Sequence, residues 1–184
     1  RASLRAHAQD INDIDEVLYR VNNALAADTH ESEFATLWFA VADPADLRLI
    51  YCGAGHEWPI LIRRPVGDHR YSEANIARLT ADGMVLGVQQ NQHYPMGVYH
   101  LQAGDVIVAF TDGLTDAMNF DRDRFGGTRL RRALVELLNN EPGATAQRIV
   151  EHVLWLLRQH TGIADRTDDV TVVSLRVNDD EQRT

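Results

Sequence analysis

The 184-residue chain carries 27 acidic against 18 basic side chains, a formal charge of -9, with 45% apolar residues and one cysteine. That length and apolar share suit one ordinary domain with its own core. The acidic balance, with no cluster of Lys and Arg, argues against nucleic-acid binding. No apolar run approaches the roughly 20 residues that cross a bilayer. The lone Cys52 excludes an internal disulfide framework or a CxxC metal site, and in its apolar strand pattern it reads as a small core side chain. The expected compartment is the reducing cytoplasm.

In chain order, "RASLRAHAQDI" reads as helix interior, with Leu4, Ala8 and Ile11 on one stripe and no capping residue ahead of it. The chain is therefore expected to be a fragment whose upstream part is missing. A second helix is predicted from "NDIDEVLYRVNNALA". Asp13 and Glu16 have capping-box spacing there, and Ile14, Val17, Leu18, Val21 and Leu25 share a face. After the polar "ADTHESE", strand signals follow closely: "FATLWFAVA", a "DPAD" turn, "LRLIYC", a "GAGH" turn and "WPILIRR". The run Phe34 to Val41 is apolar on both faces, which predicts a central strand buried on both sides. "YSEANIARL", "YPMGVYHL" and "VIVAF" are further strand candidates, the last two joined by a "QAGD" turn. Two helices are predicted next, one from Thr128 with Leu130, Leu134, Leu137 and Leu138 inward, and one from Thr145 to near Gly162. "DDVTVVSLRV" closes as a strand. The linkers between successive strands are too short for helical crossovers, so the class is α+β with mostly antiparallel sheets covered by helices. Trp38, Trp58 and Trp155 fall in strand or helix patterns and are core candidates, and His152 and His160 read as surface or packing residues.

The chemistry concentrates at strand ends. Asp112 follows "VIVAF" directly in "TDG", and Asp168 and Asp169 precede "VTVV". Carboxylates at rigid strand ends can be held against one another with little side-chain freedom to lose. Hard cations such as Mg2+ or Mn2+ prefer oxygen donors of this type. Gly113 allows a sharp turn and leaves room for an ion and water. No histidine pair has HxxxH spacing, so an imidazole zinc site is not expected. Composition and spacing equally allow a plain turn at Asp112-Gly113, a helix cap at Thr115 or Asp116, and a solvated loop at Asp165, Asp168 and Asp169. Phosphotransferases of the haloacid-dehalogenase type place a nucleophilic aspartate two residues before such an Asp. Here that position is Phe110, which leaves the covalent route without an attacking group.

"VLYRVNNAL" with "EFATLWFAVAD", then "YCGAGHEWPILI", "GMVLGV", "LQAGDVIVAFTDGLTDA", "RFGGTRL" and "DRTDDVTVVSLRV" stand in an order and spacing that resembles the metal-dependent PPM protein phosphatases, in their bacterial SpoIIE/RsbU-type branch. The resemblance runs nearly end to end. It implies a four-layer α-β-β-α sandwich of two mostly antiparallel sheets flanked by helices, formed by residues 1–177 with 178–184 as a flexible tail. It also implies hydrolysis of phosphoserine or phosphothreonine at two Mn2+ or Mg2+ ions. Such ions, about 3.5–4 Å apart, lower the pKa of a held water from 15.7 towards roughly 7 for in-line attack on phosphorus. By position, Asp112 and Asp168 are the implied catalytic metal ligands. Asp169 is either a further ligand or a group that orients water. Asp116 stands where the family often has Glu and is an implied outer group with Gly113. His56 of "GAGH" matches a family histidine, for which packing of the turn is weighed against catalysis.

The family's first metal motif, a "GDVxGHG"-like segment, is expected just ahead of Arg1. Asp10, Asp13 and Asp15 do not stand in for it, since none has a glycine beside it. Truncation is the preferred explanation over natural degeneracy, and the 184 residues alone are expected to bind metal poorly and hydrolyse little. The implied partners are an upstream sensor or receiver domain, a phosphorylated STAS-type anti-sigma antagonist as substrate, and a second copy through the N-terminal helices. The competing readings are a docking module of the same fold without a working metal centre, and an unrelated antiparallel sandwich with incidental acids.

Overall fold

The computed structural model describes residues 14–28, 33–67, 69–163 and 168–179. The helix expected over residues 1–11, the Asp13 cap, most of the "ADTHESE" loop and Asp165 lie outside these residues. The chain divides into two compact units, one of residues 1–58 and 79–101, the other of residues 59–78 and 102–184.

The first unit pairs a helix with a three-stranded antiparallel sheet. Helix α1 (Ile14–Asp28) buries Ile14, Val17, Leu18 and Val21, a stripe of helical period, and carries Asp15 and Glu16 in its first turn, where the helix dipole favours acids. The stripe packs with Cys52, Ala54, Leu86 and Tyr94. Asn22 on the same helix is fully buried, yet its amide donates to the Gln89 carbonyl at 2.8 Å and its oxygen accepts from the Gly87 amide at 3.0 Å. Both ends of that side chain are thus satisfied. Strands β1 (Leu37–Asp43), β2 (Arg48–Ala54) and β5 (Met96–His100) run in the order β1-β2-β5. The "DPAD" turn between β1 and β2 is held by the Asp43 and Asp46 carboxylates, which accept from the amides of Ala45 and Arg48 at 2.9 and 3.0 Å. The expected central strand is placed differently. Among the described residues β1 is an edge and half-buried, while β2 sits between two partners with Leu49, Tyr51 and Cys52 buried. Two apolar faces report on composition, not on place in the sheet order.

The second unit carries β3 (Ile60–Ile62), β4 (Ile76–Arg78), β6 (Val106–Phe110) and β7 (Val172–Arg176), in the antiparallel order β4-β3-β6-β7. Helices α2 (Asp112–Thr115), α3 (Gly126–Asn140) and α4 (Ala146–Thr161) belong to it. Val106, Val108 and Phe110 alternate onto one face of β6 and meet Ile60, Ile62, Leu130, Leu134, Leu138, Ile149 and Val153 in one core. The Thr145 hydroxyl caps α4 by accepting from the Arg148 amide at 3.1 Å, and Gly162 closes that helix with φ 55°. Helix α3 starts two residues earlier than predicted. "YSEANIARL" is mostly not strand. The Asn75 carboxamide oxygen accepts from the Ser72 amide at 2.9 Å, closing a 3-10 turn over Glu73–Asn75 and leaving only three residues to pair as β4. Trp155, a core candidate by pattern, is 53% exposed on α4 and stacks on His152.

The α+β class with two antiparallel sheets and covering helices is the architecture expected from the strand and helix order. No helix among the described residues is long and apolar enough to cross a membrane.

Candidate functional site

The site grows out of the β6–β7 pairing. Phe110 stands opposite Val172, the last rung of that ladder. One residue further, the Thr111 amide donates to the Thr171 carbonyl at 3.1 Å. The Thr111 hydroxyl then does two things. It accepts from the Thr171 amide at 3.0 Å and donates to the Asp169 carbonyl at 3.2 Å. One side chain therefore ties the end of β6 to the turn that leads into β7.

Asp112 opens the one-turn helix α2 immediately after this tie. Gly113 is the contact point between the two turns. A Cβ built on it would lie 2.3 Å from the Asp169 carbonyl oxygen and 3.6 Å from the Asp168 Cβ. Only a residue without a side chain allows so close an approach. The structure thus brings Asp112, Gly113, Asp168 and Asp169 together at one end of the second sheet, with all three carboxylates exposed. Asp112 Oδ1 accepts from the Gly113 amide at 2.9 Å and Asp168 Oδ1 from the Asp169 amide at 2.7 Å, so each acid also braces its own turn.

The donors suit a hard divalent cation in kind, being exposed carboxylate oxygens. The side of Gly113 expected to leave room for an ion and water is instead filled by the Asp169 carbonyl, so the glycine serves the close approach of the two turns. In number they supply part of a coordination sphere. Among the described residues no group of three His, Cys, Asp or Glu side chains is placed to hold an ion unaided. Mg2+ in particular is held by one or two carboxylates, with water and substrate oxygens filling the rest.

The remaining expected residues fall elsewhere. Asp116 caps the C-terminus of α2 with its backbone, its amide donating to the Asp112 carbonyl at 2.8 Å, and its carboxylate pairs with Arg124 at 3.0 Å. Thr115 closes the same turn, its hydroxyl donating to the Asp112 carbonyl at 3.2 Å. His56 belongs to the first unit, half-buried, with Nδ1 3.0 Å from the Thr36 hydroxyl, a hydrogen bond that ties the turn after β2 to the residue ahead of β1. Thr111 and Arg124 are not among the residues expected from the sequence. The threonine of "TDG" was the signal for the first, whereas the Arg124 pairing closes a loop that has no local pattern.

The sequence profile of the family described as Stage II sporulation protein E (SpoIIE) matches residues 1–178. Among curated proteins, protein IcfG of Synechocystis sp. is 29% identical over 161 residues, which cover 86% of this chain and 23% of that protein. The phosphoserine phosphatase RsbU of Bacillus subtilis is 27% identical over 161 residues, covering 88% of this chain and 44% of RsbU. The chain therefore spans less than half of the length of either relative. Among solved structures, the RsbU and RsbW domains of Rv1364c from Mycobacterium tuberculosis superpose with a TM-score of 0.73 at 23% identity, over 96% of this chain and 45% of that one. The catalytic domain of the serine/threonine phosphatase PstP, in complex with two manganese ions, gives a TM-score of 0.60 at 18% identity over 97% and 78%. With a profile match running almost the whole length and these shared folds, the chain belongs to the SpoIIE family and has the PP2C-type phosphatase fold.

Proposed function

We propose that this chain is the phosphatase portion of a signalling protein and hydrolyses phosphoserine or phosphothreonine in a phosphorylated regulatory protein of the STAS type, in the cytoplasm, under an upstream sensor or receiver domain. Asp112 and Asp168 are the proposed metal ligands, Asp169 a third ligand or water-orienting group, and the ions Mn2+ or Mg2+. Bound at these acids, two such ions supply Lewis-acid stabilisation of phosphoryl charge and a water of lowered pKa. The residues of the chain do the positioning. Thr111 fixes the two turns to one another, and Gly113 admits the close approach of the turn that carries Asp168 and Asp169. Asp116, held by Arg124, supports the far end of α2, and His56 keeps the turn after β2 tied to Thr36. The seating of Gly113 against the Asp169 backbone is the observation that carries this reading. The phosphoserine phosphatase RsbU, similar over 88% of the chain, supports the substrate class.

The test is phosphate release from p-nitrophenyl phosphate and from a phosphoprotein by the gene product at its natural length, with and without Mn2+. The expected outcome is Mn2+-dependent turnover that Asp112→Ala or Asp168→Ala lowers by more than about 100-fold, beyond what losing an outer hydrogen-bond partner gives. Brisk turnover indifferent to Asp112→Ala overturns the assignment. A second reading, a docking module of the same fold, draws on the way Asp112 and Asp168 each brace their own turn as ordinary turn residues do. A folded natural-length protein with no Mn2+-dependent turnover decides for it.

A further inference from the structure

The loop from Ala117 to Phe125, between α2 and α3, holds a large apolar side chain out in solvent. Phe120 is 86% exposed. The loop around it is well tied. Its base closes through the Met118–Arg124 bridge and a 2.8 Å hydrogen bond from the Phe125 amide to the Ala117 carbonyl. Its tip closes through Asn119, whose amide donates to the Asp123 carbonyl at 3.0 Å and whose side-chain oxygen accepts from the Asp123 amide at 2.8 Å. His160 Nε2 donates to the Asp123 carbonyl at 2.9 Å, and Arg129 Nη1 to the Arg124 carbonyl at 3.0 Å, anchoring the outer arm to α3 and α4. Ordering cost is therefore met before any partner arrives, which is what makes an exposed aromatic an effective anchor.

The loop also starts where the candidate site ends. Phe120 lies four positions beyond Asp116, at most about 14 Å along an extended chain. Helix α2 adds about 6 Å back to Asp112 at 1.5 Å per residue. An extended peptide crosses that total of about 20 Å in roughly six residues. Asp121, Arg122, Asp123 and Arg124 alternate in sign, so the loop offers no net charge and its distinguishing chemistry is apolar.

We infer that Phe120 is a docking anchor for the polypeptide substrate, selecting segments that carry an aliphatic or aromatic residue within about six positions of the phosphorylated side chain. The inference rests on the phosphatase reading above and adds to it a preference within the substrate class. The probe is a set of phosphoserine peptides in which one leucine or phenylalanine is moved stepwise along a Gly/Ser background, assayed with Mn2+ and the natural-length protein. One offset is expected to raise kcat/KM about tenfold, equivalent to about 1.4 kcal/mol, through a lower KM. Phe120→Ala is expected to flatten that profile and Phe120→Leu to retain most of it, with the melting temperature unchanged because the side chain is exposed. A flat profile in the wild type, or a preference that survives Phe120→Ala, overturns the inference. Turnover of p-nitrophenyl phosphate by the wild type separates the two claims. If it is present with a flat peptide profile, only the anchor fails. If no phosphate is released from any probe, the phosphatase reading fails and the anchor with it.

Discussion

Gly113 is where a single atom matters most. The neighbour that a new Cβ would strike is the Asp169 carbonyl, 2.3 Å away, and backbone cannot swing aside as a flexible side chain can. Gly113→Ala is expected to force the turn into β7 away from α2. The overpacking should cost about 1–3 kcal/mol in urea unfolding. A displacement of the acids by about 1 Å should lower Mn2+-dependent turnover by up to about 100-fold. A variant as stable and as active as the wild type shows that this approach does not set the acids. Cys52 offers a second residue-scale check. Burial first, and then the nearby Asp15 charge, push its thiol up to about 12, and its Sγ lies 3.7 Å from the Ile14 carbonyl. The folded protein thus keeps the neutral thiol where the unfolded chain ionises. Stability from this group is complete below about 9 and declines as pH rises from there towards about 12. Ellman's reagent at pH 8 should react only as fast as the protein opens, and urea midpoints should fall between pH 8 and 10 more in the wild type than in Cys52→Ala. At this scale the sequence showed the acids and the glycine as a local pattern at strand ends, but not the close approach of the Asp169 carbonyl that requires the glycine. It was silent on the Asp116–Arg124 pair, whose members lie eight positions apart and meet only through the path of the loop between them.

Among the elements, α3 and α4 were legible because their apolar spacing persists for four turns, long enough for the helical period to stand out. Short strands give no such repetition. β3 and β4 have three residues each, and the Ser72–Asn75 contacts take the residues just ahead of β4 out of the segment that reads as a longer strand. The expectation for β1 failed for a different reason, since strand order in a sheet is a long-range property that local hydropathy does not encode. A graded prediction follows from how each helix is held. Leu134 on α3 is fully buried in the second unit's core, so Leu134→Ala should cost about 2–5 kcal/mol. Thr145 contributes one capping hydrogen bond at an exposed helix end, and Thr145→Ala should cost about 1 kcal/mol. Chemical denaturation of both variants checks the order. Equal losses show that the α3 face is less committed to the core than its burial indicates.

At the scale of the whole chain, two units each carry their own apolar core, and Asp112, Asp168 and Asp169 all belong to the second. A ligand that binds only the folded form stabilises it by RT ln(1 + [L]/Kd), about 2.7 kcal/mol at a hundredfold excess over Kd. Such stabilisation is delivered where the ligands sit. Thr111 and Gly113 join the acid-bearing turns to β6 and β7, so added Mn2+ should slow amide hydrogen exchange first at residues 111–116 and 168–171 and then along β6 and β7. The α1 helix and the β1-β2-β5 sheet rest on a separate core and should change little by comparison. Exchange mass spectrometry on the natural-length protein, with and without Mn2+, reads both regions in one experiment. Asp112→Ala serves as the control that should erase the difference. Protection spread evenly over both units, or undiminished in Asp112→Ala, places the metal away from the β6–β7 turns. The proposed ligand set would then be wrong even though the chain keeps its family and its fold.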